Sequence, residues 1–305
     1  MSLFSKLLGQ VHAVLALCIL IITTTMGFIP TLFLGCIKLI PNKIIRTLCT
    51  RAIDKLVTLW CGINNLYVDK VQKIQLDITG LDNLQRKNWH LVVANHQSWL
   101  DIVILHRLFN RKIPVLKFFI KDQLKWVPLL GFCWWAMGCP FMKRYSKEYL
   151  ARKPHKQGKD LISTRKAIET FKRTPASVMN FIEGTRFTLN KKEQQDSPYD
   201  HLLKPKAGGI SFIISSMGQQ ITSLLDVTIV YAEKKHSIWD FLCKRVRSAK
   251  VSIRQIPIPS KFISNQLLEN KQMHNEFKDW LNEQWAEKDR LIASLKCDTS
   301  LITST

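Results

Sequence analysis

Acidic residues are scarce in this chain. Asp and Glu number 23 against 45 Lys and Arg in 305 residues, a formal charge of +22. Such a field draws in phosphates, whether on nucleic acid, anionic lipid headgroups or acidic carrier substrates, and does not choose among them. Metal-ligand patterning is missing as well. None of the eight cysteines forms a C-x-x-C pair or a Cys/His ligand spacing, so the sequence offers no basis for a zinc site. Cys18, Cys36, Cys49 and Cys61 lie in or just after an apolar run, where cysteine behaves as a small hydrophobe. No G-x-S-x-G surrounds Ser98, which argues against a serine nucleophile on a strand-to-helix elbow.

Charge of either sign is absent from residues 7–37, LLGQVHAVLALCILIITTTMGFIPTLFLGCI. About 20 apolar residues suffice to cross a bilayer, so the stretch is long enough for one span. Gly27 and Pro30 interrupt it, and proline removes a donor and clashes with the preceding turn. Two helices over 7–26 and 31–40, folded as a hairpin within one leaflet, therefore stand beside the single span. The run is too long for a cleaved signal peptide, and no small-x-small site follows it. Lys38, Lys43, Arg46, Arg51 and Lys55 come next, with Lys6 alone before. Basic flanks favour the cytoplasmic side, and each Lys or Arg near the surface adds about 1 kcal/mol of attraction to anionic lipid.

With no internal repeat and no low-complexity linker, the simplest organisation has three parts: an anchor over 1–42, an α/β domain over 43–260, and a C-terminal amphipathic helix and tail over 261–305. Segment 44–60 reads as an amphipathic helix. Apolar, β-branched runs at 73–79, 90–94, 113–120, 177–182, 224–232 and 250–256 alternate with helical periodicity at 98–109, 122–137, 159–173 and 205–217. That alternation predicts an α/β fold, a sheet of about six to seven strands flanked by helices. Polar, turn-rich 190–206 reads as a surface loop. Phe277, Trp280, Leu281 and Trp285 supply the apolar stripe of a helix in 261–293.

Directly after the run LVVA stands NHQSWLD, with His96 and Asp101 five positions apart. On one continuous helix they would diverge by about 140°. With His96 at the strand end and Asp101 in the first helical turn, the carboxylate reaches back to one imidazole nitrogen and leaves the other free to take a proton. That is general-base equipment, although a turn with a satisfied His and a capping Asp has the same letters. Ser98 reads as a cap for the helix starting near Trp99. A second strand-end motif, FIEGTRF over 181–187, brings Gly184 for close backbone approach, the Thr185 hydroxyl and the planar fork of Arg186. GCPFMKR over 138–144 ends in Arg144, and Lys121 lies in FFIKDQLKWVPLLG. Together they amount to a base and a cationic cradle.

These blocks resemble the glycerolipid acyltransferase family, the PlsC-like enzymes that include 1-acyl-sn-glycerol-3-phosphate acyltransferase. NHQSWLD matches N-H-x4-D, GCPFMKR is similar to G-x-x-F-x-x-R, and FIEGTRF to F-P-E-G-T-R, while SPYDHLLKPKAGG resembles the YihG-like bacterial branch. The resemblance implies a His96–Asp101 catalytic dyad. It implies substrate binding by Lys121, Phe141, Arg144, Glu183, Gly184, Thr185 and Arg186, with no metal and no cofactor beyond an acyl-CoA or acyl-carrier-protein donor. Lysophosphatidic acid or a related lysophospholipid would be the acceptor and anionic membrane lipids the surroundings. The location implied is a membrane, the bacterial inner membrane with the catalytic domain cytoplasmic. Ile182 replaces the family's proline, and VTIVYA over 227–232 lacks the proline of the fourth block. Two rivals share the residues: an esterase in which His96 activates water, and a tethered binder of anionic lipid or nucleic acid. The second lacks a recognisable nucleic-acid module, so nucleic acid is not an expected partner.

Overall fold

The buried apolar runs assemble into a single mixed sheet. A computed structural model describes residues 3–82, 84–142, 174–221, 223–233 and 235–302. Among them, β1 (Gln75–Thr79), β2 (His90–Ala94), β3 (Leu116–Phe118), β6 (Ser177–Asn180), β7 (Ser223–Tyr231) and β8 (Ser248–Pro257) form a six-stranded sheet of order β1-β8-β7-β2-β6-β3. β7, β2, β6 and β3 run parallel, while β8 returns antiparallel along β7. The inner strands β2 and β6 are buried at every position, and β8 alternates, as expected when helices cover both faces of the parallel part. Two further short strands, β4 (Ile120–Lys121) and β5 (Phe141–Met142), pair with each other beside the sheet.

Alternate side chains of β2 feed two cores, since successive residues of a strand point to opposite faces. Leu91 and Val93 join Ile210, Phe277, Leu281 and Trp285, under α6 (Ala207–Met217) and α8 (Lys271–Ile302). Val92 and Ala94 join Leu105, Leu108 and Phe109 of α3 (Leu100–Phe109) on the other face. Among the described residues the other α-helices are α1 (Leu3–Ile37), α2 (Lys43–Tyr67), α4 (Leu130–Met137), α5 (Leu189–Gln194) and α7 (Ile238–Leu242), with a single turn at Gln266–Glu269 just before α8.

Several elements differ from the sequence expectation. Helix 122–137 is two pieces, a 3₁₀ turn at Asp122–Trp126 and then α4, because Val127 precedes Pro128 and is held extended. The 113–120 strand shrinks to Leu116–Phe118, after which the chain swings aside to form β4. The 190–206 loop contains α5, started by Thr188, whose hydroxyl accepts the Lys191 N–H at 3.3 Å. The C-terminal helix starts at Lys271, not 261. Helix 159–173 lies outside the described residues.

Nor does Pro30 break the first helix. α1 runs unbroken to Ile37, so the expected pair of helices over 7–26 and 31–40 is not formed. The Thr31 hydroxyl donates to the Gly27 carbonyl at 2.8 Å, the kind of side-chain substitution that lets a helix tolerate proline. α1 is long and apolar enough to cross a membrane and is largely uncovered by protein. Both of its ends nevertheless touch the domain. His12 Nδ1 donates to the Leu242 carbonyl of α7 at 2.8 Å. At the other end Phe28 meets Phe132 of α4 edge-on, and a Cβ on Gly35 would come within 2.6 Å of the Phe132 ring. Lys38, in the turn toward α2, donates to the Ala136 carbonyl at 2.8 Å.

Candidate active site

β2, β6, β3 and β7 all end at one edge of the sheet, the edge where open α/β folds place ligands. His96 follows β2, Glu183 follows β6, Lys121 follows β3 and Tyr231 closes β7. The strand-to-helix turn after β2 brings His96 and Asp101 together. Nδ1 of His96 lies 2.8 Å from Asp101 Oδ2, and the same oxygen accepts the Gln97 and Ser98 N–H groups at 2.7 and 2.9 Å. Its second oxygen accepts the Tyr231 hydroxyl at 2.6 Å. Asp101 is fully buried, and a buried carboxylate needs such partners. Burial and the adjacent carboxylate hold the Tyr231 phenol well above its ordinary range, so it remains a donor.

With Nδ1–H committed to Asp101, Nε2 is left as the basic nitrogen. It makes no hydrogen bond to any described residue, and the His96 side chain keeps 15% of its surface. Phe181 stacks on the imidazole at 3.9 Å, with the planes 15° apart, and so fixes the ring. Asn95 clamps the turn to β7, exchanging two 2.9 Å bonds with the backbone of Ile229. The Ser98 hydroxyl donates to the His236 carbonyl at 2.6 Å and accepts the Leu100 N–H at 3.2 Å. The helix N-cap is Trp99 and not Ser98 as the sequence reading expected, and no side chain caps it there; the Ser98 hydroxyl serves the turn one residue earlier.

Glu183 is placed otherwise than the resemblance implied. It is fully buried, and its oxygens accept the His96 N–H at 2.8 Å and the Leu203 N–H at 2.9 Å. Burial pushes its pKa up to about 7, against the two N–H bonds and Lys288, which favour the ionised form. Glu183 therefore supports the His96 main chain, with each of its oxygens taken by a backbone N–H. The following Gly184 takes φ 75°, a turn that a Cβ would strain.

Thr185 and Arg186 emerge next. Arg186 is exposed, its guanidinium 5.7 Å from the Trp99 ring centroid. Lys191 of α5 folds back to donate to the Thr185 hydroxyl at 2.8 Å and to the Arg186 carbonyl at 3.1 Å. This lysine was missed in the sequence, where it sits inside a polar stretch that read as loop. Lys121 is exposed in β4, and Phe141 is half-buried opposite Ile120 in β5. Arg144 lies outside the described residues. Tyr231 and Phe181 were also missed as site residues. Phe181 stands inside the third block, whereas Tyr231 stands in the run that lacks the family's proline.

The acyltransferase family profile matches residues 75–262, which include β1 to β8 and every group just described except Lys288. The chain belongs to the acyltransferase family. The mouse (Mus musculus) 1-acyl-sn-glycerol-3-phosphate acyltransferase epsilon is 24% identical over 266 residues, covering 79% of this chain and 67% of its own. The Saccharomyces cerevisiae 1-acyl-sn-glycerol-3-phosphate acyltransferase is 32% identical over 113 residues, 37% of this chain and 33% of that one. The crystal structure of the 1-acyl-sn-glycerophosphate (LPA) acyltransferase PlsC from Thermotoga maritima superposes with a TM-score of 0.53 at 17% identity, covering 98% of this chain and 97% of that one. At that identity it speaks for the fold. The two sequence relatives are eukaryotic, so they do not single out the YihG-like bacterial branch, and the bacterial membrane that rested on it is not carried forward. The enzyme is an O-acyltransferase, and its relatives point to lysophospholipid acylation.

Proposed function

We propose that the enzyme transfers a fatty acyl group from an acyl-CoA or acyl-carrier-protein thioester to the free hydroxyl of lysophosphatidic acid or a close lysophospholipid. The observation that carries this is the buried Asp101 on His96 Nδ1 at 2.8 Å, which leaves Nε2 as a base; the Thr185–Arg186 segment is tied to the same turn by the Phe187 N–H, which donates to the His96 carbonyl at 2.7 Å. Nε2 takes the hydroxyl proton while the acceptor oxygen attacks the thioester carbonyl. The tetrahedral intermediate breaks its C–S bond, and the imidazolium returns the proton to the departing thiolate. One ester forms, one thioester is lost, and His96 ends neutral. General-base help of this kind is worth about 10²–10⁴-fold. Direct attack without an acyl-enzyme is supported by Ser98, whose hydroxyl is spent on the His236 carbonyl.

The acceptor phosphate suits Arg186, whose planar fork matches it, and the formal charge of +22 suits phosphate-bearing donors. The enzyme works membrane-bound, its catalytic domain on the cytoplasmic side among anionic lipids. The docking of α1 on the domain near both ends supports a disposition along one leaflet. The deciding experiment measures free-thiol release from palmitoyl-CoA by the purified enzyme with and without lysophosphatidic acid. Release that needs the acceptor supports transfer. Equal release without it makes the protein a thioesterase, and no release under either condition removes the catalytic reading.

A further inference from the structure

α8 carries an anomaly on its core stripe. Phe277, Leu281, Trp285, Lys288 and Ile292 recur at helical spacing and all are buried, Lys288 without any exposure. A lysine at such a position is costly, and replacing a buried ion pair by apolar residues is often neutral or stabilising. Lys288 Nζ donates to Asp226 Oδ1 and to the Val227 carbonyl, both at 2.6 Å. Arg254 of β8 shares Asp226, at 2.8 Å, and also reaches Glu287 at 2.9 Å. An apolar stripe alone would tolerate a slip of one turn, about 5.4 Å. The ion pair does not, because slipping strands a charge in the core. The pair fixes register.

What the register places is a chain of hydrogen bonds ending at the catalytic turn. Trp285 Nε1 donates to the Leu203 carbonyl at 3.0 Å. One turn on, the Asp289 carboxylate accepts the Asp200 and His201 N–H groups, both at 2.8 Å. Segment 200–203 is thus pinned to α8 from two sides. Its Leu203 N–H holds one oxygen of Glu183, and the other holds the His96 N–H.

We propose that α8 is a positioning element of the active site: Trp285 and Asp289 set the place of His96 through Leu203 and Glu183. This rests on His96 being the base of the reaction proposed above. α8 lies beyond the residues 75–262 that the family profile matches. The gain is in barrier height, since misplacing a base by a fraction of an ångström raises the barrier more than it weakens substrate binding.

The test uses the full chain and compares Trp285→Phe with Trp280→Phe. Both make the same chemical change on the same helix, but Trp280 packs on Phe262 and Phe277 and holds no part of the 200–203 segment. Asp289→Asn is the second variant, since it leaves the core intact and turns an amide N–H₂ toward one of the two backbone donors. Trp285→Phe and Asp289→Asn should each lower kcat by about 10-fold with both KM values within twofold, while Trp280→Phe leaves kcat within twofold. Hydrogen exchange at the His96 and Leu203 amides should quicken about 10-fold in the first two variants and not in Trp280→Phe. Equal effects of the two tryptophan changes, or unchanged exchange at His96 when Leu203 has loosened, overturn the proposal. A wild-type enzyme with no acyl transfer would sink the functional reading alone, and the exchange pattern would still decide the relay.

Discussion

Asp101→Asn separates charge from geometry at this site more cleanly than a truncation would. Oδ2 is held by two backbone N–H groups, from Gln97 and Ser98, at 2.7 and 2.9 Å. Both are fixed donors, so the asparagine carbonyl oxygen must occupy that position and the amide N–H₂ the other. The carbonyl still accepts Nδ1–H, and His96 keeps its tautomer. On the far side the Tyr231 hydroxyl, now a donor to Asp101 at 2.6 Å, rotates to accept from the new amide, as a hydroxyl is able to do. The fold and both KM values should survive. What disappears is the negative charge that balances the imidazolium formed as the acceptor hydroxyl is deprotonated.

At a separation of about 4 Å and an effective dielectric constant of 20, that attraction is about 4 kcal/mol. The neutral imidazole keeps part of it as an ion–dipole interaction, so kcat should fall by about 10²–10³-fold. The assay is acceptor-dependent thiol release, with His96→Ala as the floor and circular dichroism to verify folding. A folded Asp101→Asn enzyme within tenfold of wild type would show that the carboxylate does not act on the imidazolium. A fall all the way to the His96→Ala floor would refute the pinning argument, because it would mean the amide had turned and the tautomer was lost.

Arg186→Lys keeps the charge but loses the fork; kcat/KM for lysophosphatidic acid should drop by about 10-fold, and an unchanged value would remove Arg186 from phosphate recognition. Glu183, raised from 4.5 to about 7 by burial, with Asp101 adding to the rise and Lys288 opposing it, binds its proton more tightly folded than unfolded, so its contribution is greatest below pH 4.5 and is lost as pH rises through about 7. The stability difference between wild type and Glu183→Gln should therefore shift by about 3 kcal/mol against wild type across that window, and a flat difference in urea titrations would contradict the burial argument. The full chain should stay in the membrane pellet after high-salt and carbonate washes, and Lys6→Cys should react with an impermeant maleimide from the same side as the catalytic domain; protection of position 6 from that side would make α1 a true span.

Much of the fold was legible because its signals are local and periodic. β2 at His90–Ala94 matches the expected run, and β6, β7 and β8 agree with theirs to within two residues at either end. Each is an apolar, β-branched run ended by turn residues. The misses have physical reasons that no window of the chain displays. Pro30 reads as a breaker, yet α1 runs unbroken through it, with the Thr31 hydroxyl bonded to the Gly27 carbonyl alongside. Lys117, inside the expected 113–120 run, is buried and bonded to Asp54 of α2, a partner the run itself does not name. The antiparallel return of β8 against β7 depends on pairing across the sheet, which alternation of strands and helices does not encode.

The candidate site divides along the same line. His96 and Asp101 were legible because five residues fit one strand-to-helix turn, so spacing alone implied contact. Gly184, Thr185 and Arg186 were legible as a block. Glu183, in the middle of that block, was expected to bind substrate only because the family resemblance implied it. Its role depends on two partners 87 residues upstream and 20 downstream, and only the sheet brings them to one point. Tyr231 is a similar case, 130 residues from the carboxylate it serves. Lys288 did leave a trace, the one charge on an otherwise apolar stripe from Phe277 to Ile292. A lone cation on a core stripe is costly unless it is paired, so it announces a partner without naming it. The apolar stripe of Phe277, Trp280, Leu281 and Trp285 already implied that this helix packs on a core, and Lys288 adds that a charge is paired within that contact.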